Sequence, residues 1–351
     1  MPIDPTTPDP AAIRQAAEVL RHGGLVAFPT ETVYGLGANA LDVEAVQGIF
    51  AAKGRPAYDP LIVHLAGPET LADVVAEVPS LAETLAAHFW PGPLTLVLPR
   101  GPHIPLAVTA GGPTVAVRVP AHPVALALIR AAGFPVAAPS ANRFGRLSPT
   151  QAAHVLDDLD GRIDLLLDGG ATPVGVESTV LSLVTPVPTI LRPGGVSREA
   201  LAMVLGQVDV PGRVFTAEDV VPSPGALAQH YAPRARLTLY QGPRQTVLQA
   251  MRTAAAQLVE TGQRVGLLLA VGDAAAFAGL PVTVQSIETD GGLEGAARQL
   301  FTALRALDRA GVTAILARDF GARGLGLAIR DRLTRAAAGN VVCVDSNLPG
   351  S

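Results

Sequence analysis

Lysine occurs once in this chain, at position 53 within KGRP (residues 53 to 56), and the other 25 of its 26 basic residues are arginines. This skew indicates that the base composition of the gene favours arginine over lysine, so a lysine that persists is expected to have a specific role. An ammonium group is a compact charge with three donors, which suits a small anion or a carbonyl oxygen where a guanidinium is too large. The alternative is that one lysine survived by chance.

Further polar clusters occur along the first two hundred residues. Their arginines, Arg55, Arg118 and Arg192, are forked donors for phosphate or carboxylate, and their hydroxyl and amide groups add neutral donors and acceptors. Ligands bind where strands end at one edge of an open α/β sheet, so the clusters together predict a site for an anionic substrate. The clusters are PTETVYG (29 to 35), KGRP, DPLIVH (59 to 64), PSAN (139 to 142), GVEST (175 to 179) and RPG (192 to 194).

Each cluster also has a purely structural interpretation. Serine and threonine beside proline and glycine commonly form turns. Arg118 alternates with valine in AVRV and could be an outward-facing strand residue, and His64 after LIV could be a half-buried histidine with satisfied hydrogen bonds.

Three familiar phosphate and nucleophile motifs are absent from the sequence. A P-loop needs Gly-Lys-Ser/Thr, but Lys53 is followed by Gly54. GLGANA (35 to 40) matches a dinucleotide fingerprint but does not directly follow a strand and open a helix. GVESTV has no glycine two residues after Ser178, so it is not a nucleophile elbow.

Composition narrows the class of protein. A length of 351 residues accommodates two domains, and the aliphatic runs are too short to cross a bilayer. The acidic, proline-rich start MPIDPTTPDP is unlike a signal peptide, and the single cysteine, Cys343, excludes an internal disulfide. We therefore expect a cytoplasmic protein without membrane spans. The net charge of −4 does not favour a generally nucleic-acid-coating surface.

The hydrophobic pattern predicts the elements that position these clusters. Asp9 is placed as the N-cap of a helix that ends near Arg21, and a second helix is predicted to start at Asp42 and end near Gly54. Ser148 and Ser197 stand at the cap positions of later helices. Alternating and apolar runs predict strands. Predicted helices lie at 69 to 89 (broken near Pro79), 123 to 132, 149 to 158 and 198 to 205, and strands at 23 to 28, 94 to 99, 114 to 119, 134 to 140, 162 to 168 and 178 to 184.

A second domain follows a break in regularity. SPGALAQHYAP (223 to 233) has no periodicity, and beyond it strands and helices alternate as in a βαβ domain with a mainly parallel sheet. Helices are predicted near 244 to 260, 292 to 310 and 324 to 337. We thus predict an α/β protein: a catalytic domain with an open twisted sheet at 1–207, a linker or lid at 208–235 and a smaller Rossmann-like domain at 236–351.

Taken in order, PTETVYGLGANA, KGRP, PSAN, GVEST and RPG resemble the YrdC-like threonylcarbamoyl-AMP synthase family, over about residues 12 to 205. SPGALAQHYAP and the following domain resemble the family's two-domain form. The family's linker commonly has Met-Lys-Tyr where this chain has Ala226, Leu227 and Ala228, whereas His230 and Tyr231 keep the pattern.

The resemblance implies an enzyme that joins L-threonine, bicarbonate or CO2, and ATP into threonylcarbamoyl-AMP and pyrophosphate. It implies Mg2+ held mainly by the ATP phosphates. The adenylate would pass to a downstream tRNA threonylcarbamoyl transferase complex that makes threonylcarbamoyladenosine in tRNAs reading ANN codons, with weak or indirect tRNA binding by this chain.

The family pattern also assigns residues. Lys53, Arg55, Ser140 and Asn142 would be catalytic, and His230 and Tyr231 would form a lid that closes over the nucleotide. Threonine would contact Thr32, His64, Arg118, Ala138 and Ser178, and ATP would contact Arg55, Asp59, Thr114, Ser140, Ser148, Arg192 and Tyr231.

Two other functions stay open at this stage. An RNA-binding module of the YrdC type would show tight, salt-dependent tRNA binding without ATP. One lysine, four tyrosines and one tryptophan provide few side chains for a surface that contacts phosphates and stacks on bases. A carbamoyl-adenylating domain of hydrogenase maturation would use carbamoyl phosphate, and usually sits in a longer chain with acylphosphatase and zinc-finger parts.

Overall fold

The computed structural model describes residues 1–210, 231–289 and 292–344. The chain divides into two compact units. The first comprises Met1–Phe144 and Ser148–Ala228, and the second comprises Gly145–Leu147 and Gln229–Ser351. The predicted lid residue His230 and most of SPGALAQHYAP lie outside the described residues.

Several helices of the first unit begin at a residue whose side chain accepts a hydrogen bond from a free backbone N–H group. Asp9 accepts from Ala11 N, as predicted for an N-cap, and Asp42 caps the second helix by accepting from the backbone N–H groups of residues 44 and 45. Ser197 likewise caps the last helix of this unit. The helices are α1 Pro10–Arg21, α2 Val43–Lys53, α3 Ser80–Phe89, α4 Pro123–Ala132, α5 Ala152–Leu159 and α6 Arg198–Leu205, with a 3-10 turn at Pro68–Asp73.

The strands of the first unit form a mixed sheet. They are β1 Val26–Phe28, β2 Gly35–Asn39, β3 Ile62–His64, β4 Leu94–Pro99, β5 Thr114–Arg118, β6 Val136–Ala137, β7 Leu165–Leu166, β8 Thr179–Ser182 and β9 Thr189–Arg192. Within the described residues their order is β7-β1-β2-β6-β3-β5-β4-β8-β9. Only the pairs β1–β7, β3–β5 and β4–β8 are parallel in this part of the chain. Strands of both directions therefore end at each edge of this sheet, and the predicted site at one edge stays a prediction.

Strand pairing sets which side chains share a face. The parallel pair β3–β5 places Ile62 beside Ala116 and His64 beside Arg118. Since side chains alternate along a strand, all four lie on one face. Ile62 and Ala116 join Val97 and Val180 in a small apolar cluster, distinct from the larger core that includes Tyr34, Ile49 and Leu85. This face of the sheet thus combines an apolar floor with His64 and Arg118.

Several boundaries differ from the prediction. Residues 134 to 140 and 162 to 168 form strands of only two residues each, β6 and β7. The sequence pattern missed β2, β3 and β9, which are short and lack clear alternation. Ser148 does not cap α5, because the cap position is Gln151 and the Ser148 hydroxyl donates to Glu177 Oε1 instead.

The second unit is a parallel α/β fold, as predicted. Its described strands are β10 Arg236–Gln241, β11 Val265–Ala270, β12 Thr283–Ile287, β13 Ala314–Arg318 and β14 Val341–Cys343, in the order β12-β11-β13-β10-β14. Every described pair in this sheet is parallel. The helices are α7 Arg244–Glu260, α8 Glu294–Arg309 and α9 Leu325–Ala336, with a 3-10 turn at Ala274–Phe277.

Tyr231 belongs to the interior of the second unit. Its ring is buried, 5.8 Å from that of Phe301, with the Arg332 guanidinium 4.9 Å above its centre. The next residue, Ala232, donates its N–H to Gly145 O at 2.8 Å. In this conformation the tyrosine ring packs as a core residue of its unit, and its predicted contact with ATP stays a prediction.

Among the described residues, no helix is long and apolar enough to cross a membrane. The α/β class predicted for both parts of the chain is confirmed.

Candidate active site

Lys53 is held by the PSAN segment. It is the last residue of α2, which ends because Gly54 adopts a left-handed conformation with φ of 62°. Its Nζ donates to the carbonyl oxygens of Ser140 and Asn142, both at 2.5 Å, and Phe144 N–H donates to Lys53 O at 2.9 Å. Two of the three donors of an ammonium are thus used within the described residues, and one is left for a ligand.

Burial shapes the chemistry of Lys53. The residue is 2% exposed, and this burial, followed by the nearby Arg55 charge, lowers its pKa well below the usual value. An amine donates hydrogen bonds in either protonation state, so the two carbonyl contacts hold regardless. The main structural role of Lys53 is therefore to fix the position of the Ser140–Asn142 loop.

Arg55 and Asp59 form a buried pair next to Lys53. Arg55 donates from Nε to Asp59 O at 3.0 Å and from Nη2 to Pro60 O at 2.7 Å. Its Nη2 also lies 2.9 Å from Asp59 Oδ1, yet within the described residues neither carboxylate oxygen accepts a directed hydrogen bond. Burial raises the Asp59 pKa, while Arg55, Lys53 and Arg192 oppose that rise. Asp59 thus serves as the counter-charge of a cationic cluster.

Arg118 is paired with a carboxylate that the sequence analysis did not single out. Its Nη2 donates to Glu31 Oε1 at 2.5 Å and its Nη1 to Thr32 Oγ1 at 3.2 Å. In the part of the chain that the structure describes, Arg118 Nε and Glu31 Oε2 make no hydrogen bond. The alternative of an outward-facing strand arginine is excluded, because Arg118 is buried. The glutamate in PTETVYG could have been recognised from the sequence as a partner for Arg118, because a buried guanidinium needs a counter-charge.

His64 is neutral in the folded protein. It is buried beside Arg118, and its Nδ1 lies 3.2 Å from Ile62 O. Burial and the Arg118 charge lower its pKa to about 3. His64 can therefore present a neutral imidazole to a ligand but cannot act as a cation near neutral pH.

This shift predicts a loss of stability in mild acid. The folded state keeps His64 unprotonated, whereas the unfolded chain takes up a proton there below about pH 6.5. The free energy of unfolding therefore falls by about 1.4 kcal/mol per pH unit as the pH drops from 6.5 toward 3. His64→Gln should flatten the fall in melting temperature between pH 7 and 5. The matched control is His88→Gln, at an exposed histidine, and equal slopes for wild type and His64→Gln would contradict the assignment.

Ser178 and Arg192 form a third group. Arg192, at the end of β9, donates from Nη2 to the Ser178 hydroxyl at 3.1 Å and to Ser178 O at 3.0 Å. Thr95 Oγ1 lies 2.8 Å from the same hydroxyl. The Ser178 side chain is therefore held in one orientation by two neighbours.

The three groups converge on one region of the first unit. Arg192 is close enough to Asp59 for its charge to oppose the rise in pKa that burial causes there, and burial together with the nearby Arg192 charge lowers the pKa of Arg118. Four cationic side chains, Lys53, Arg55, Arg118 and Arg192, thus share a buried region beside the small apolar cluster of the sheet. Such a region can neutralise an anion with several charges and hold it away from water.

Three further residues predicted for the site lie outside these three groups. Ser148 is buried against Glu177, a second carboxylate that the sequence analysis overlooked. Thr114 begins β5 and so lies at the opposite end of that strand from Arg118. Ala138 is buried just after β6, and its N–H donates to Ile62 O at 2.9 Å.

The described residues contain no group of three or more His, Cys, Asp or Glu side chains that could hold a metal ion. Asp59 has free carboxylate oxygens, but Arg55 and Lys53 already balance its charge. A cation carried on ATP phosphates needs no carboxylate cage, and the predicted Mg2+ stays a prediction.

Comparison with protein families gives two matches along the chain. A family model described as "Telomere recombination", which covers Sua5, YciO and YrdC proteins, matches residues 18–194. A model described as the C-terminal domain of threonylcarbamoyl-AMP synthase matches residues 196–338.

Individual relatives match over nearly the whole length. Threonylcarbamoyl-AMP synthase of Pyrococcus abyssi is 47% identical, over 95% of this chain and 96% of the relative. The protein of the same name from Bacillus subtilis is 46% identical, over 96% of each. The crystal structure of P. abyssi Sua5 complexed with L-threonine superimposes with a TM-score of 0.92 at 44% identity, over 98% of this chain and 99% of that one.

Proposed function

The chain belongs to the threonylcarbamoyl-AMP synthase family, and we propose that it is a nucleotidyltransferase that converts L-threonine, bicarbonate or CO2, and ATP into threonylcarbamoyl-AMP and pyrophosphate. The observation that carries this proposal is the convergence of Lys53, Arg55, Arg118 and Arg192 in one buried region of the first unit. A substrate that combines a triphosphate with an amino-acid carboxylate has the charge that such a region neutralises.

The chemistry has two steps with different demands. The threonine amine first adds to CO2, or to bicarbonate with loss of water, and forms an N-carboxylate. One oxygen of that carboxylate then attacks the α-phosphorus of ATP, and the bond from this phosphorus to the pyrophosphate oxygen breaks. Both partners in the second step are anions, so the protein must align and neutralise them.

The contacts of the site suggest how the threonine is held. Arg118 is fixed by Glu31 and retains an unused Nε, so its guanidinium is oriented to receive the amino-acid carboxylate. Neutral His64 and the hydroxyls of Thr32 and Ser178 offer further hydrogen bonds, and Ala138 is bonded to Ile62, two residues before His64 on β3.

The phosphate side of the site rests on the Lys53 contacts. By holding the carbonyls of Ser140 and Asn142, Lys53 fixes the loop that carries these two side chains, and in its protonated form it has one further N–H to donate to the reacting anion. Arg55, held by Asp59, and Arg192, held by Ser178, supply charge to the ATP phosphates. By the family pattern, Thr114 and Ser148 are also expected to contact ATP, and the contact of Tyr231 stays a prediction.

Magnesium enters as part of the MgATP substrate. Phosphate oxygens and water would supply most of its ligands, and when bound it neutralises charge on the pyrophosphate leaving group. The adenylate is then consumed by a tRNA threonylcarbamoyl transferase complex, with little tRNA contact by this chain, in the cytoplasm.

Pyrophosphate release with ATP, bicarbonate and one amino acid at a time tests the proposal. We expect release only when threonine or a close analogue and bicarbonate are both present. Release at the same rate without any amino acid would show that the protein is not this synthase.

Serine is expected to be a weaker substrate than threonine. A pocket shaped for the threonine methyl group distinguishes the two by about 1–3 kcal/mol, or roughly tenfold to two-hundredfold in kcat/KM. The measurement is kcat/KM for each amino acid in the same pyrophosphate assay, with valine as a control that keeps the shape and lacks the hydroxyl. Equal values for serine and threonine would refute a methyl-specific pocket.

A further inference from the structure

The second unit contains a crevice that the synthase reaction does not use. It has a volume of about 540 Å³ and lies where β10, β13 and β14 end. Its walls include Gln241, Arg318, Phe320, Arg330 and Cys343. This volume falls in the range of sites for small molecules.

The topology of the sheet opens the crevice at this point. Strands β10 and β13 are neighbours in the sheet, and the chain leaves them in opposite directions. The connection after β10 crosses β13 to reach β11, and the connection after β13 crosses β10 to reach β14. Helix α7, which follows β10, packs on the face that carries Tyr240, Leu267 and Leu316. Helix α9, which follows β13, packs with α8 and adds nothing to that cluster. Connections that diverge on two faces leave a gap beyond the carboxyl ends of the strands, where ligands of open α/β sheets bind.

Arg318 is the fixed donor in this crevice. Its Nε lies 2.7 Å from Asp273 Oδ2, and its guanidinium lies 5.3 Å from the centre of the Phe320 ring. Its side chain is 17% exposed, and within the described residues its two terminal nitrogens make no hydrogen bond. A guanidinium oriented by a carboxylate and an aromatic ring, with its fork unused, suits a bidentate oxyanion.

The surrounding charge is positive. Arg244 shares Asp273 with Arg318, and Arg330 pairs with Asp319 at the mouth of the crevice. Among the described residues of this cluster, three guanidinium groups therefore face two carboxylates, which leaves one positive charge unbalanced. This balance favours an anion over a cation.

The loop from β13 to α9 brings backbone close to the same place. It contains Gly321 and Gly324, which have positive φ of 100° and 55°, and Gly326 follows in the first turn of α9. A Cβ on Gly326 would lie 2.8 Å from Gly321 O, so the helix starts tightly against the loop. The cap residue Gly324 has no side chain to satisfy the first N–H groups of α9. Within the described residues, Gly326 N–H donates to Arg323 O at 2.9 Å and Leu327 N–H to Gly324 O at 3.4 Å, so the N–H of Leu325 is the donor that this helix start offers to a phosphate.

We propose that this crevice binds a small phosphate-bearing molecule of mononucleotide size, with its phosphate on Arg318 and the start of α9. The site is separate from the synthase site and lies wholly within the second unit.

Cys343 allows a direct test, because it is the single cysteine of the chain, is exposed and lines the crevice. The rate of its alkylation by neutral iodoacetamide, followed by intact mass on the full-length protein, reports occupancy of this site. AMP should slow alkylation severalfold and inorganic phosphate should slow it less, whereas adenosine and citrate should not.

Two variants locate the protection. Arg318→Lys keeps the charge beside Asp273 but removes the fork, so AMP should lose most of its protective effect. Arg55→Gln weakens the synthase site and should leave protection intact. Protection that disappears in Arg55→Gln but persists in Arg318→Lys, protection by citrate equal to that by phosphate, or no protection by AMP would each overturn the proposal.

Discussion

Replacing Lys53 by arginine is expected to remove most of the synthase activity although the charge is preserved. The Lys53 amine is 2% exposed and sits 2.5 Å from two carbonyl oxygens, so a guanidinium has no room without displacing the Ser140–Asn142 loop. By analogy with the loss of one donor to a transition-state anion, the cost is about 2.7–4 kcal/mol, or ~10²–10³ in kcat. The measurement is kcat for pyrophosphate release together with the melting temperature.

Arg21→Lys is the matched control for this exchange. Arg21 ends α1 as Lys53 ends α2, but its side chain is 40% exposed, so the swap should leave both activity and stability nearly unchanged. Lys53→Met, which keeps length and removes the donors, should lose activity and also melt earlier. Near-normal kcat in Lys53→Arg would mean that the lysine survived by chance.

Arg118→Lys is expected to raise the KM for threonine by about tenfold to a hundredfold. The ammonium still balances buried Glu31, so the fold is kept, but the guanidinium contacts to Glu31 and Thr32 that fix its orientation are lost. One hydrogen bond to a charged group is worth about 1.5–3 kcal/mol, which sets this range. The KM for ATP should change little, because the phosphates are assigned to Arg55 and Arg192.

The control for Arg118 is Arg100→Lys. The Arg100 guanidinium also donates to backbone carbonyls in the first unit, those of Gly101 and Ile104, but away from the site. Its replacement should leave the KM for threonine unchanged. An equal rise in the KM for ATP and for threonine in Arg118→Lys would refute a role specific to the amino acid.

Long periodic elements of the fold were predictable from the sequence, whereas short strands were not. Helices α1 and α2 begin after capping aspartates and end at a turn or a left-handed glycine, signals that are local. Strands β2 and β3 have five and three residues and are almost wholly buried, so no alternation marks them. Their antiparallel and parallel pairings depend on contacts across the sheet, which no local pattern contains.

Residue types in the candidate site were predictable, but their partners were not. The buried cations at 53, 55, 118 and 192 stand out as charges in polar clusters. Glu31 and Glu177 were overlooked because single carboxylates do not form a metal cage, whereas the structure uses them to hold Arg118 and Ser148. The carbonyl contacts of Lys53 could not be foreseen either, since they join residues 87 and 89 positions apart.

The most direct test of the proposed reaction is detection of its product with labelled bicarbonate. The full-length protein would be incubated with MgATP, L-threonine and ¹³C-bicarbonate, quenched quickly and examined by mass spectrometry. The account predicts threonylcarbamoyl-AMP that carries the label in its carbamoyl carbon, absent when threonine is omitted and strongly reduced in Lys53→Arg. A labelled product that forms without threonine, or AMP and pyrophosphate with no labelled adenylate in the folded, active protein, would contradict it.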